Sequence, residues 1–477
     1  MQGVEFLADE EVHKVHEASL FILDRTGIRV RNDNARRIFI DRGCTWDTHT
    51  GVIRIPAKTV EEYRKFFVPS FAFHGRDPKF DRILPQDGPI MITASSAPDV
   101  IDLDTGVQRR AKSSDIARIA HLVNELPGYD VFSISTLADD APEGHFSVAR
   151  FYPALKNCLK PVRSNTPNRK DLEDVLELGE IIAGGNEAYR ARPLMTHHYC
   201  PVVSPLTMDV ESTEAVIYLA ERGLPVYGTI CPNAGMSSPL SLIATLVQGN
   251  AEFLALALLM QMVRPGTPLI YSVLATVADM RTGNYAPGAI ETAMLQMGFC
   301  QMARYYGVPS GGYIGLTNAH VNDAQSGYET GMGTTAALLG GIDMLNMGGL
   351  LGSLMVFDFA KAVIDHEIAM MLKQLKKGIR YENEDLCLDL IDEVGPGGFF
   401  ADQLHTLRKM RTAAYLPKVA QREMREKWKD SGEREIGSKA LDEARRIIAA
   451  GNPAHFDAEM EKKILARFPG LEMLCRH

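Results

Sequence analysis

From Tyr305 to Ala360 the chain has no lysine and no arginine, although the stretch holds Tyr313, Asn318, His320, Asp323, Glu329, Asp343 and Asp358. A phosphate site built on fixed cations is excluded there, and an anion would have to rest on backbone amides. Cysteines are few and scattered: seven, at 44, 158, 200, 231, 300, 387 and 475, with no C-x-x-C pair and an odd count. That speaks against a disulfide framework and for reduced thiols in a cytoplasm. Clean apolar runs of the roughly 20 residues that a membrane span needs are missing. The longest, around Phe253 to Val263 and Ala336 to Phe357, are short or interrupted by Asp343, Asn346 and glycines, and read as core. The start, MQGVEFLADEEVHKVHEASL, has no apolar segment of signal-peptide type. With a formal charge of −9 there is no basic stripe, so neither nucleic acid nor membrane is expected as a partner.

What is present is an ordinary globular composition, 45% hydrophobic and 23% charged, in 477 residues. That length suits one large barrel with additions or two to three ordinary domains. From Pro89 onward one unit repeats: a short apolar run, often entered through proline, then a loop and a segment of helical period. The runs are PIMIT (89–93), YDVFSIS (129–135), PVRSN (161–165), PLMTHHY (193–199), PVYGTI (225–230), PLIYSVL (268–274), VPSGGYIGL (308–316) and DMLNMGG (343–349). The middle ones start at 129, 161, 193 and 225, an even spacing that means a repeated strand and helix. The intervening helices include 113–126, with Ser114 or Asp115 as its cap, and 169–183. Eight such units predict an α/β fold of the (β/α)8 TIM-barrel type, ahead of an open doubly wound sheet. The expected domains are an N-terminal α/β cap over 1–88, the catalytic barrel over 89–376 and a C-terminal helical extension over 377–477. The Lys/Arg/Glu-rich part of the extension reads as solvated surface helices.

Barrel active sites lie at the C-terminal strand ends. Those ends supply Ser95, Ser96, Ser135, Thr136, Ser164, Asn165, His197, His198, Tyr199, Thr229, Cys231, Tyr271, Thr276, Tyr313, Asn318 and Asn346, a polar, neutral and aromatic rim. Strand alternation puts His197 and His198 on opposite faces, so they cannot ligate one zinc together, and at least one is expected to be packed. No strand end offers a lysine for Schiff-base chemistry. NMGGLLGS (346–353) has the glycines of a phosphate loop but no cation. GMGTTAALLGG (331–341) imitates a dinucleotide fingerprint but lies within a predicted helix. Aromatic faces near acids, with no competing lysine or arginine, suit a cationic ligand, above all a quaternary ammonium. Tyr199, Tyr271, Tyr313 and Phe357 are the expected cage.

Five further stretches, TGIRV (26–30), SAPDVIDLDTGVQRRA (96–111), NDAQSGYE (322–329), VIDHEIAMM (363–371) with LKKGI (375–379), and EVGPGGFFADQLHT (393–406), carry a resemblance. In this order, and over most of the length, the chain resembles the trimethylamine:corrinoid methyltransferase family. The resemblance implies a barrel that presents a methylated amine to Co(I) of a separate corrinoid protein. The chain would then have no catalytic residue of its own, no metal and no tightly bound cofactor, the cobalamin being supplied by the partner. No D-x-H-x-x-G corrinoid motif occurs; the nearest string, DTHTG (47–51), has the wrong spacing. Founding members carry pyrrolysine, whereas all residues here are standard, which resembles the branch acting on quaternary amines. Glycine betaine is the first expected substrate, giving dimethylglycine. Proline betaine, carnitine or another betaine, and a non-catalytic quaternary-amine-binding barrel, are the alternatives. The ammonium is expected in the cage. Its carboxylate is expected on amides of the Ser95-Ser96 and Gly348-Gly349 loops, or on Asn165, His198 and Asn318. A cytoplasmic homo-oligomer in anaerobic one-carbon metabolism completes the expectation.

Overall fold

The computed structural model describes residues 3–379 and 381–475; Met1 and Gln2 of the expected cap, and Arg380, Arg476 and His477 of the expected extension, lie outside the described residues. Each of the eight apolar runs holds a strand: β1 Ile90–Ile92, β2 Phe132–Ser133, β3 Val162–Ser164, β4 Met195–Tyr199, β5 Val226–Ile230, β6 Tyr271–Val273, β7 Ser310–Gly315 and β8 Met344–Met347. A proline stands just before β1, β3, β5 and β7, where its missing N–H costs no ladder bond. All neighbours are parallel, in the order β1-β8-β7-β6-β5-β4-β3-β2. A parallel bridge from Ile92 to Val131 brings β1 round to the β2 edge and shuts the barrel. Helices stand between the strands, among them Ser113–Glu125, Val148–Asn157, Arg169–Ala183, Leu242–Val263, Ile290–Tyr306, Ala324–Leu339 and Phe359–Lys377.

The barrel's lower end is sealed by a segment that the sequence assigned to the cap. Strands Phe71–Phe73 and Arg82–Leu84 form an antiparallel hairpin. Its Phe71, Phe73 and Leu84 pack with Ile90, Ile92, Val131, Tyr227, Ile270 and Met344 of the barrel interior. With the floor filled by apolar side chains, a ligand can enter only at the opposite, C-terminal mouth.

The remaining N-terminal residues are woven into the barrel. Ile28–Val30 pairs in parallel with Thr207–Met208 in the loop after β4, and antiparallel with Val52–Arg54. Helices Asp9–Phe21, Asp33–Asp41 and Ala57–Tyr63 lie on helix Leu242–Val263. This explains how that helix can be apolar all round: it is long and apolar enough to cross a membrane, yet 78% of its apolar window is buried inside the fold.

Two expectations need correction. Neither Ser114 nor Asp115 is the N-cap of helix Ser113–Glu125; that residue is Lys112, whose amide donates to the Asp115 carboxylate at 2.9 Å. Asp115 in turn accepts from Arg109 at 2.7 Å, which fixes it as a reach-back acceptor. The charged tail is also more than solvated surface. Helix Ile436–Ala449 sits between Phe359–Lys377 and Ser113–Glu125, the last and first helices of the ring. There it buries Ala440, Ala444 and Ile447. A small-residue stripe lets it fit the seam, while its charges stay outside.

The cation-free stretch ends at Lys361, which is buried and pairs with buried Asp365 at 2.6 Å. Asp365 also accepts the Gly349 amide at 2.9 Å and so ties the loop after β8 to the last barrel helix. Replacing Lys361 by Met leaves a buried carboxylate unpaired and should cost about 3–5 kcal/mol. A lowered thermal midpoint would show this, and an unchanged midpoint would refute the role assigned to the pair.

Candidate functional site

Strand pairing decides which side chains enter the lumen, because residues in register on parallel strands share a face. Ser133 is in register with Arg163, and Arg163 with Thr196. Tyr227 is in register with His198, Ser272 with Thr229, and Asn346 with Tyr313. Above the hydrophobic floor the interior is therefore polar, and Arg163 stands at its centre.

The Arg163 side chain is wholly buried. Its Nε and Nη2 donate to the Ser133 hydroxyl at 3.2 and 2.9 Å, Nη2 also donates to the Tyr313 hydroxyl at 3.0 Å, and Nη1 donates to the Tyr227 hydroxyl. The guanidinium lies over both tyrosine rings, 5.8 and 5.6 Å from their centroids. His198 forms the next layer toward the mouth. Its ring is 5.3 Å from Tyr227 and 5.8 Å from Tyr313, and Nε2 is 3.0 Å from the Thr229 hydroxyl. Burial, reinforced by the Arg163 cation, lowers its pKa and keeps the imidazole neutral at neutral pH.

The expected aromatic cage does not assemble, and alternation along the strands is the reason. Of its four members only Tyr313 faces the lumen. Tyr271 points outward, stacks on Phe253 at 3.8 Å and donates to Asn250 at 2.8 Å in the helical layer. Tyr199 also points outward, to the Thr166 hydroxyl at 2.8 Å, and burial pushes its pKa up to about 12. Phe357 is buried edge-on to Phe359 in a small sheet beyond β8. His197, on the outer face of β4, packs by Phe151 without a hydrogen bond, as expected for one of the two histidines.

The expected carboxylate binders divide. Ser95 lies beside the Tyr313 phenol, and the Ser96 hydroxyl accepts from Arg150 at 3.2 Å, so this turn borders the lumen. Asn165 is exposed at the mouth and gives its carbonyl to Arg150 at 3.5 Å. Asn318 is committed elsewhere: its amide donates to Tyr285 O and Ser353 Oγ, each at 2.9 Å, and its oxygen accepts from the Gly288 amide at 3.1 Å. Gly348 and Gly349 have φ of 97° and 80°. A side chain on either would collide with Tyr129 or Phe357, and the Gly349 amide is taken by Asp365. Both glycines are required for close packing, and the Gly349 amide is already engaged.

The sequence reading missed four participants, Arg163, Tyr227, Tyr285 and Cys200, the last beside the Cys231 already placed on the rim. Arg163 is the lone cation inside the eight runs, and that isolation was its legible signal. Tyr227 was hidden as one more β-forming aromatic. Tyr285, from the hairpin Thr276–Asp279/Asn284–Ala286 after β6, brings a buried, unpartnered hydroxyl near Cys231, Tyr313 and Cys200. Cys200 and Cys231, one residue beyond β4 and β5, bring their sulfurs within 3.8 Å. Either thiol can donate in this contact, and with His198 and Arg163 also near, the Cys200 thiol is held well below the usual range while that of Cys231 is raised.

These groups line a barrel mouth with no cluster of His, Cys, Asp and Glu able to hold a metal among the described residues. The trimethylamine methyltransferase family model matches residues 1–468. The chain belongs to this family. A trimethylamine methyltransferase of Desulfitobacterium hafniense strain DCB-2 is 30% identical over 455 residues, 94% of this chain and 90% of that one. A glycine betaine methyltransferase of D. hafniense strain Y51 is 30% identical over 465 residues, 96% of this chain and 95% of its own length. The trimethylamine methyltransferase of Methanosarcina thermophila is 28% identical over 473 residues, 98% of both chains. Family members thus carry names for two amines that differ in charge and size, and the lumen must decide between them.

At neutral pH iodoacetamide should label exposed Cys200 ahead of Cys231, as peptide mass mapping would show, because thiolate character governs the rate. Labelling of Cys231 first would contradict the lowered Cys200 thiol.

Proposed function

We propose that this protein takes a methyl group from a quaternary amine, glycine betaine first among them, and passes it to Co(I) of a separate corrinoid protein docked at the barrel mouth. The observation that carries this reading is the near-full-length similarity to a glycine betaine methyltransferase. The corrinoid supplies the nucleophile: as its bond to the methyl carbon forms, the C–N bond breaks and its electron pair leaves with nitrogen as a neutral tertiary amine. No proton has to be delivered, and the site agrees, since His198 stays neutral and tyrosine and serine hydroxyls make up the surrounding layer.

What remains for this chain is to hold and align the amine and to exclude water, which is where proximity contributes several kcal/mol. Tyr313, His198 and Ser95 border the space in which the amine would lie. The mouth also suits a protein partner. Val107, Met236, Leu240, Met280, Val321 and Met355, on loops following five different strands, are each more than half exposed. Exposed apolar side chains gathered around an entrance mark an interaction surface.

With a Co(I) corrinoid protein from the same organism, glycine betaine should convert Co(I) to methyl-Co(III) and release dimethylglycine. The rate should show no histidine titration across the neutral range, since burial and the Arg163 cation hold the His198 pKa below the ordinary imidazole value. Transfer only from a longer betaine would move the substrate assignment. Binding without transfer to any corrinoid partner would leave a binding protein in place of an enzyme.

A further inference from the structure

Methyl transfer at the barrel mouth gives no role to EVGPGGFFADQLHT (393–406), one of the stretches that carry the family resemblance. It lies in an arm that leaves the barrel after helix Phe359–Lys377. That helix starts near the mouth, where Asp365 holds the Gly349 amide, and ends at the floor, where Lys373 pairs with Asp130 at 2.9 Å beside Arg82 of the floor hairpin. The chain returns where Glu367, on the same helix, accepts the amides of Lys418, Val419 and Ala420, the last two at 3.0 and 3.2 Å. From Lys373 to Lys418 no described residue is buried.

The arm nevertheless has the pattern of a packed element. Helices Leu388–Val394 and Leu404–Lys409 each set two apolar residues three apart on one face, Leu388 with Ile391 and Leu404 with Leu407, yet neither helix buries a residue. Those four side chains, Phe399 between the helices and Met410 after them are each more than half exposed. Apolar side chains gathered in this way on a surface mark a contact. Charge points to what makes it. The first helix carries Asp389, Asp392 and Glu393 and no cation; the second carries Arg408 and Lys409, with Arg411 following, and no acid. One ion pair, Lys409 to Asp385 at 2.5 Å, forms within the arm, and Asp389, Asp392, Glu393, Arg408 and Arg411 have no ion pair among the described residues. A surface that is apolar and acidic at one end, apolar and basic at the other, matches its own copy turned about a two-fold axis. The methyl acceptor does not suit this place, because the arm leaves the barrel at the floor, opposite the mouth that the acceptor must reach.

We propose that the arm over 378–417 is a two-fold interface between two copies of this chain, in which the acidic helix Leu388–Val394 of one copy lies against the basic helix Leu404–Lys409 of the other, with their apolar faces between them. This is independent of the methyl-transfer reading, and its test uses neither amine nor corrinoid protein. Sedimentation of the full chain should give an even-numbered assembly of the 52.6 kDa chain. A monomer or an odd-numbered assembly would overturn the proposal. Reversing the acidic helix (Asp389→Lys, Asp392→Lys, Glu393→Lys) places like charges opposite each other at both ends and should weaken association by about 100-fold or more, halving the assembly. Reversing the basic side (Arg408→Glu, Lys409→Glu, Arg411→Glu) should do the same. Mixed in equal amounts, the two variants are complementary again and the assembly should return, a result that misfolding cannot imitate. Variants that stay fully assembled, or a mixture of folded variants that stays apart, would refute the two-fold arrangement. Should either variant fail to fold, carbodiimide cross-linking of unaltered protein, prepared as an equal mixture of isotope-labelled and unlabelled chains, still decides. Links from Asp392 or Glu393 to Lys409 should join labelled to unlabelled chains. Links confined to single chains, or an arm that becomes protected only when the corrinoid protein is added, would take the surface away from a second copy.

Discussion

A guanidinium with no carboxylate beside it sits in the middle of the barrel, and the site takes its character from that charge. Arg163 draws the hydroxyls of Tyr227 and Tyr313 from β5 and β7 toward β3, crosslinking the polar layer above the hydrophobic floor. It lowers the pKa of His198 beyond what burial alone does, and it favours the thiolate of Cys200. A cation here also reverses the electrostatics expected of the region. The stretch free of lysine and arginine exists, but the lumen it lines is charged from a strand far earlier in the chain.

That placement depends on two features that have nothing to do with catalysis. The Phe71–Phe73 hairpin blocks the lower end, so the polar layer is reachable from one side only. Helix Ile436–Ala449 completes the helical ring at the seam between its last and first members. In both cases distant segments of the chain finish the barrel, which is why the repeated strand–helix unit is not the whole of its architecture.

The architecture was largely legible in the sequence because its signals are local. Prolines before strands, apolar runs and helical periodicity each act over a few residues, and all eight runs became barrel strands. Parts of the site were legible for the same reason: Tyr313, His198, Ser95 and Ser96 stand at strand ends and do border the lumen. Tyr199 and Tyr271 were misplaced because a strand end fixes a residue's height along the barrel and leaves its direction to the pleat. Tyr199 follows His198 by one residue and so faces away from it; Tyr271 precedes Ser272 by one and faces away in the same manner. Phe357, Gly348 and Gly349 lie past the last strand, where small-sheet pairing and close packing, invisible locally, set their roles.

The sequence by itself determined the class of fold, the succession of its elements and the family, since these follow from short-range pattern and from similarity along the chain. Only the tertiary structure decided what the lumen offers a ligand. Barrel closure brings β3, β5 and β7 face to face, and the pairing register sends Arg163, Tyr227 and Tyr313 into one layer from positions 64 to 150 residues apart. Charge in a closed space is a property of the side chains that converge there, and no stretch of the chain contains that convergence.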